Sequence, residues 1–129
     1  MESKSIMCEN SINFAMRVGY ENIESEKALE RSLKNSVEVK LKGWCLKLLS
    51  THITGLPDRI CLFPGGRILF VELKAPGKKP RKIQLFMHRK IRALGFRVEV
   101  VDTPEQIKKI IKEYEEQCKF SSGKNRQSN

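Results

Sequence analysis

At 129 residues, 40% of them hydrophobic, the chain has the size and composition of one globular domain with its own core. Its 25 Lys and Arg against 15 Asp and Glu leave a formal charge of +10, a balance that points to polyanionic partners. No apolar run reaches the roughly 20 residues of a membrane span, the first residues show no basic-then-apolar leader pattern, and the 4 cysteines form no C-x-x-C pair, so membrane, disulfide-framework and zinc-finger classes are set aside and a cytoplasmic location is expected.

Residues 1–22 have weak periodicity and yield no element. From about Ser25, "SEKALERSLKNSVEVKLKG" repeats Leu29, Leu33, Val37 and Leu41 every four residues and stops at Gly43, which predicts a helix with one apolar face. "WCLKLLS", Trp44 to Ser50, reads as a short strand and "THITG" as a loop. "RICLF" (Arg59 to Phe63) and "RILFVEL" (Arg67 to Leu73) flank Pro-Gly-Gly and predict a β-hairpin, closed off by "APGKKP". A helix follows from about Arg81 to Leu94, with Ile83, Met87, Ile91 and Leu94 as its inward stripe and Gly95 as its stop. "FRVEVV", Phe96 to Val101, is a further strand. Thr103, Pro104 and Gln106 then form a helix start with a capping box. Trp44, Phe63, Phe70 and Phe86 are expected in the core. Residues 23–118 thus form the folded domain, and 119–129, polar and rich in Gly and Ser, a disordered tail. The order helix, strand, hairpin, helix, strand, helix implies an α/β fold: a mixed sheet with helices on both faces.

The residues with chemistry cluster around the hairpin. Successive strand side chains alternate faces, so Glu72 and Lys74 point one way while Leu69, Val71 and Leu73 point into a core. The hairpin brings Asp58, at the start of its first strand, toward Glu72 near the end of its second. Two adjacent carboxylates repel unless a cation lies between them, and such hard oxygen ligands suit Mg²⁺ or Mn²⁺. At about 100° per residue, Glu26 falls at the centre of the first helix's apolar stripe and is a third candidate acid, with Glu30 its competitor. Gln84 opens the next helix on its polar side, in reach of a substrate backbone or the attacking water. Between Glu72 and Glu99 the chain is basic without an intervening acid, and Lys78, Lys79, Arg81, Lys82, His88, Arg89 and Arg92 are the expected phosphate contacts.

These residues carry a family resemblance. G-x-P-D, thirteen residues, then E-L-K looks like the PD-(D/E)-x-K nuclease signature. The series Glu26, "GLPD", "FVELKAPG", Gln84 and "IRALGFRVEVVDT" resembles VRR-NUC domains, the virus-type replication-repair nucleases, over about Ser25 to Ile111. The resemblance implies a restriction-endonuclease-like fold and Mg²⁺- or Mn²⁺-dependent phosphodiester hydrolysis. It implies a catalytic set of Asp58, Glu72, Lys74, Gln84 and Glu26. The metal would be held by Asp58, Glu72, the backbone carbonyl of Leu73, and Glu26 through a water. Lys47 resembles a lysine found before the G-x-P-D turn and is a further expected DNA contact. Short standalone members, many viral or bacterial, act as homodimers that resolve Holliday junctions. The implied function is therefore a structure-selective endonuclease acting on branched DNA as a homodimer, in the cytoplasm of a bacterial or virus-infected cell. A flap-type nuclease and a non-catalytic module binding branched nucleic acid are the alternatives.

Overall fold

The computed structural model describes residues 25–49 and 51–124, with side chains through residue 120. The expectation for residues 1–22 lies outside them. Residues 25–35 are α-helical and continue as a π-helical turn, Ser36–Lys40; together they are α1. The strands are β1 (Trp44–Lys47), β2 (Arg59–Phe63), β3 (Arg67–Leu73) and β4 (Arg97–Val101), and the remaining helices are α2 (Lys82–Ala93) and α3 (Pro104–Lys124). The four strands form one sheet in the order β1-β2-β3-β4. β1, β2 and β3 are antiparallel neighbours, and β4 runs parallel to β3 after the α2 crossover. This is the mixed α/β sheet that the element order implies.

Strand alternation divides the sheet into two unlike faces. One face carries Cys45, Cys61, Phe63, Leu69, Val71, Leu73 and Val101, which join Leu29, Leu33, Val37 and Leu41 of α1 and Ile107, Ile110, Ile111 and Tyr114 of α3 in a single buried cluster. Phe63 stacks on Tyr114 with ring centroids 4.2 Å apart. Arg97 ties β4 to α3 through Glu113 at 2.7 Å and lies over the Tyr114 ring. Cys45 and Cys61, paired across β1 and β2, are free thiols with sulfurs 3.7 Å apart, packed as small apolar groups. The other face, under α2, is mixed. It holds buried Glu72 and Val98, and Phe70 meets Phe96 edge-on.

Several expectations are corrected. α1 ends before Gly43 as its pattern predicts, and the left-handed residue at its end is Lys42, at φ 56. Gly43 is needed because a Cβ there would meet the Leu62 carbonyl oxygen at 2.5 Å. α3 runs on to Lys124, past the boundary placed at residue 119, because an established helix gains a hydrogen bond with each added residue. Arg67 also holds its last turns, bonding Gln117 and Cys118. Trp44 on the edge strand and Phe86 on α2 are largely exposed, not core.

The largest correction concerns α2. Its buried residues are Gln84 and His88, while Ile83 and Leu94 of the apolar stripe are exposed, Leu94 at 72%. At about 100° per residue, Gln84 and His88 form a polar seam. Ile83, Met87 and Leu94 run along one flank of it, and Arg81, Arg89 and Arg92 along the other. A buried carboxylate on the facing strand demands polar partners, and that demand outweighs the burial of the apolar stripe.

Gly43→Ala tests the packing of α1 against β2. We expect a loss of about 1–3 kcal/mol in urea unfolding, the usual size of an overpacking defect where backbone, not a flexible side chain, is in the way.

Candidate active site

β3 runs into this site at its C-terminal end. Arg59 pairs with Val71, so Asp58, one residue earlier, lies directly across from Glu72. The turn before Asp58 is locked from two sides. Gly55 is buried in the left-handed region at φ 89, and a Cβ there would meet the Ile83 carbonyl oxygen at 2.8 Å, so only glycine lets the turn sit against the first turn of α2. Pro57 behind it is fully buried. The Asp58 carbonyl accepts from the Leu48 N–H at 2.8 Å, and its Oδ2 accepts from the Leu73 N–H at 2.8 Å. The aspartate is therefore held by backbone groups of both neighbouring segments.

Glu72 is 1% exposed. Its Oε1 accepts from Gln84 Nε2 at 2.8 Å and lies 3.5 Å from Lys74 Nζ. Gln84 is fixed in turn, its Oε1 accepting from the Arg81 N–H at 2.8 Å. Both ends of that amide are engaged within the protein, so Gln84 holds Glu72 instead of facing a substrate from the polar side of α2. Glu72 Oε2 faces His88 Nε2 at 3.5 Å. Burial, and then the negative charge of Asp58, push the Glu72 carboxyl up to about 7, with Lys74 pulling the other way.

The structure thus brings together Asp58, Glu72, Lys74 and Gln84. It does not bring Glu26 to them. Glu26 is exposed, and among the described residues no three or more His, Cys, Asp and Glu side chains are grouped so that together they could hold a metal ion. The first turn of α1 borders a hollow of about 310 Å³ lined by Ala28, Leu29, Pro76 and Pro104, and Glu26 is not among its lining residues. The acid of α1 that is tied to the hairpin is Glu30. It forms an ion pair with Arg59, the residue after Asp58, and lies 3.8 Å from Lys47.

Among the expected phosphate contacts, Lys47, Lys78, Lys79, Arg81, Lys82, Arg89 and Arg92 are exposed. His88 is not; it is 0% exposed and stands behind Glu72. Burial, and then the positive charges of Arg92 and Lys74, push its imidazole below its ordinary value. The signal that could have found it is its spacing: Gln84 and His88 are four apart, so whichever faces the sheet takes the other with it.

The donor set fits a hard divalent cation. Asp58 and Glu72 are the carboxylates that could hold one, Glu72 Oε2 is a buried oxygen without a hydrogen-bond partner among the described residues, and ions such as Mg²⁺ are commonly bound through one or two carboxylates with waters and substrate phosphate completing the shell.

A mixed α/β sheet whose central hairpin sets two carboxylates and a lysine at one sheet end is the architecture of a small nuclease-type domain. In accord with it, the chain is 41% identical over 80 residues to a protein called "Putative nuclease p44" of Acyrthosiphon pisum secondary endosymbiont phage 1, covering 62% of this chain and 85% of that one. A solved structure described as "VRR_NUC domain" superposes with a TM-score of 0.65 at 34% identity, over 70% of this chain and 97% of that one. No family model matches the chain. The chain belongs to the VRR-NUC nuclease family.

The raised Glu72 carboxyl makes stability depend on pH in the cation-free protein. A carboxyl raised on folding binds its proton more tightly in the native state. Its contribution is complete below the ordinary value of 4.5 and is lost as pH climbs through about 7. Urea unfolding should show the wild type losing stability relative to Glu72→Gln between those two values, with the difference constant on either side. A difference that stays level across the window would contradict the burial of this carboxylate.

Proposed function

We propose that this VRR-NUC chain is a divalent-cation-dependent, structure-selective DNA endonuclease that hydrolyses phosphodiester bonds, acting as a homodimer on four-way junctions. The observation that carries the reading is the placement of Asp58 across from Glu72 with Lys74 3.5 Å from the glutamate. Two carboxylates and an ammonium at one sheet end have no apolar packing role and match the acid-acid-lysine set of phosphodiester hydrolysis.

The residues divide the work. Asp58 and Glu72, with the Leu73 carbonyl, would hold Mg²⁺ or Mn²⁺. Bound there, the cation offsets charge on the scissile phosphate and makes an attacking water more acidic. Lys74 orients that water or stabilises the negative charge that grows on phosphate oxygens as one P–O bond forms and another breaks. Gln84 holds the Glu72 carboxylate from behind. The exposed basic flank of α2, Arg81, Arg89 and Arg92, with Lys78, Lys79 and Lys82 before it and Lys47 on β1, meets the DNA backbone. The opposite, apolar flank of α2, with Ile83 and Leu94 exposed, favours the homodimer, because burying it against a second copy removes apolar surface from water. No described helix is long and apolar enough to cross a membrane, and the phage origin of p44 favours action inside an infected cell.

Labelled four-way junctions incubated with the protein and Mn²⁺ should give nicked duplexes. Asp58→Ala should abolish cutting while still binding DNA, and Lys74→Ala should lower the rate by roughly 10²–10³-fold. Intact junctions with folded, DNA-binding wild-type protein would leave only a binding module, and preferential cutting of flaps would replace the junction assignment. Light scattering should give twice the chain mass. With about six phosphate contacts, log affinity against log salt should fall with a slope of roughly −5, and a flat dependence would contradict the basic flank.

A further inference from the structure

His88 stands apart from the residues just assigned. It is fully buried on the inner seam of α2, one turn after Gln84. Among the described residues neither of its ring nitrogens has a hydrogen-bond partner, and neither has Glu72 Oε2. Burying an unpaired imidazole is unfavourable, and a leucine would fill the same position without that penalty. The three unpartnered atoms are not scattered. Nε2 lies 3.5 Å from Oε2, and it is the ring nitrogen that comes within ion-pair distance of a carboxylate.

The two oxygens of Glu72 are thus unequally held. Oε1 is gripped by Gln84 and neighboured by Lys74. Oε2 has lone pairs to spare, and His88 Nε2 faces it. Each carboxylate oxygen can accept twice, so Oε2 can be oriented from behind by an N–H and still present a lone pair forward. At 3.5 Å the contact is longer than a full hydrogen bond. Hydrogen bonds of this kind are often long in a free enzyme and tighten in the complex.

We propose that His88 is a positioning residue for Glu72: as the Nε2–H tautomer it donates to Oε2 and, with Gln84 on Oε1, fixes the plane of the carboxylate so that its forward lone pair faces the cation position shared with Asp58. The proposal rests on the nuclease reading above. Gln84 and His88 then form a two-point clamp built from one helical turn. The polar seam of α2 turns inward for this reason, at the expense of the apolar flank.

The test uses the full chain, titrated with Mn²⁺ alone by calorimetry, in wild type, His88→Leu, His88→Gln and Glu72→Gln, with junction cleavage measured alongside. Removing such an outer partner should weaken Mn²⁺ binding about 10- to 100-fold in His88→Leu and lower kcat by a similar factor with KM for the junction unchanged. His88→Gln, which keeps a donor at similar reach, should recover most of both. Nitrogen-15 spectra of the cation-free wild type should show His88 protonated at Nε2. Mn²⁺ affinity in His88→Leu equal to wild type, while Glu72→Gln is defective, would overturn the role of His88 alone. Wild type that binds no Mn²⁺, or Glu72→Gln that binds it as tightly as wild type, would overturn the site reading and this proposal with it. If His88→Leu does not fold, the spectrum decides: an Nε2–H signal supports the clamp and an Nδ1–H signal overturns it.

Discussion

One pairing organises this molecule. β2 and β3 meet in a register that sets Asp58 directly across from Glu72, and the chain then buries one of these two mutually repelling carboxylates to 1% exposure. Burying a charge without partners is among the most unfavourable things a fold can do. The surroundings of Glu72 read as answers to that problem. Gln84 donates to one oxygen, Lys74 brings positive charge within 3.5 Å, and the Leu73 N–H donates to the neighbouring Asp58 carboxylate. The helix that delivers Gln84 faces the sheet with its polar residues, against its own hydrophobic pattern.

That orientation shapes the rest of the surface. With the seam of α2 committed to Glu72, its apolar and basic residues are pushed to opposite flanks, and both stay exposed. The other side of the sheet bears the stability. Leucines of α1 and isoleucines of α3 close on Leu69, Val71 and Leu73, the residues that alternate with Glu72 along β3. One seven-residue strand therefore serves a dry core on one face and a charged site on the other, and its period of two keeps them apart. On the core side, the ion pair of Glu30 with Arg59 joins α1 to the residue beside Asp58.

Much of this could be read from local pattern. The hairpin bounds, Arg59 to Phe63 and Arg67 to Leu73, follow from apolar runs around Pro-Gly-Gly and coincide with β2 and β3. The capping box of α3 is present as expected, Gln106 accepting from the Asp102 and Thr103 N–H groups. The meeting of Asp58 and Glu72 was legible too, because a hairpin's register is set by its own turn. Glu26 was not. A helical wheel states a direction but not whether anything lies in that direction, and Glu26 stays exposed. The exposure of Trp44 and Phe86 was hidden for the same reason, since composition does not report which face of an element has a neighbour.

The amino-acid order by itself determined the strands, the helix limits near the site and the approach of two carboxylates and a lysine, all of which depend on contacts between residues close in the chain. Only the tertiary structure decided how α2 is rotated, that His88 is buried behind Glu72, that Gln84 is spent on holding it, and which acid of α1 reaches the hairpin. Those outcomes depend on competition between burying apolar surface and satisfying a buried charge, and that competition is settled only when distant elements are packed against one another.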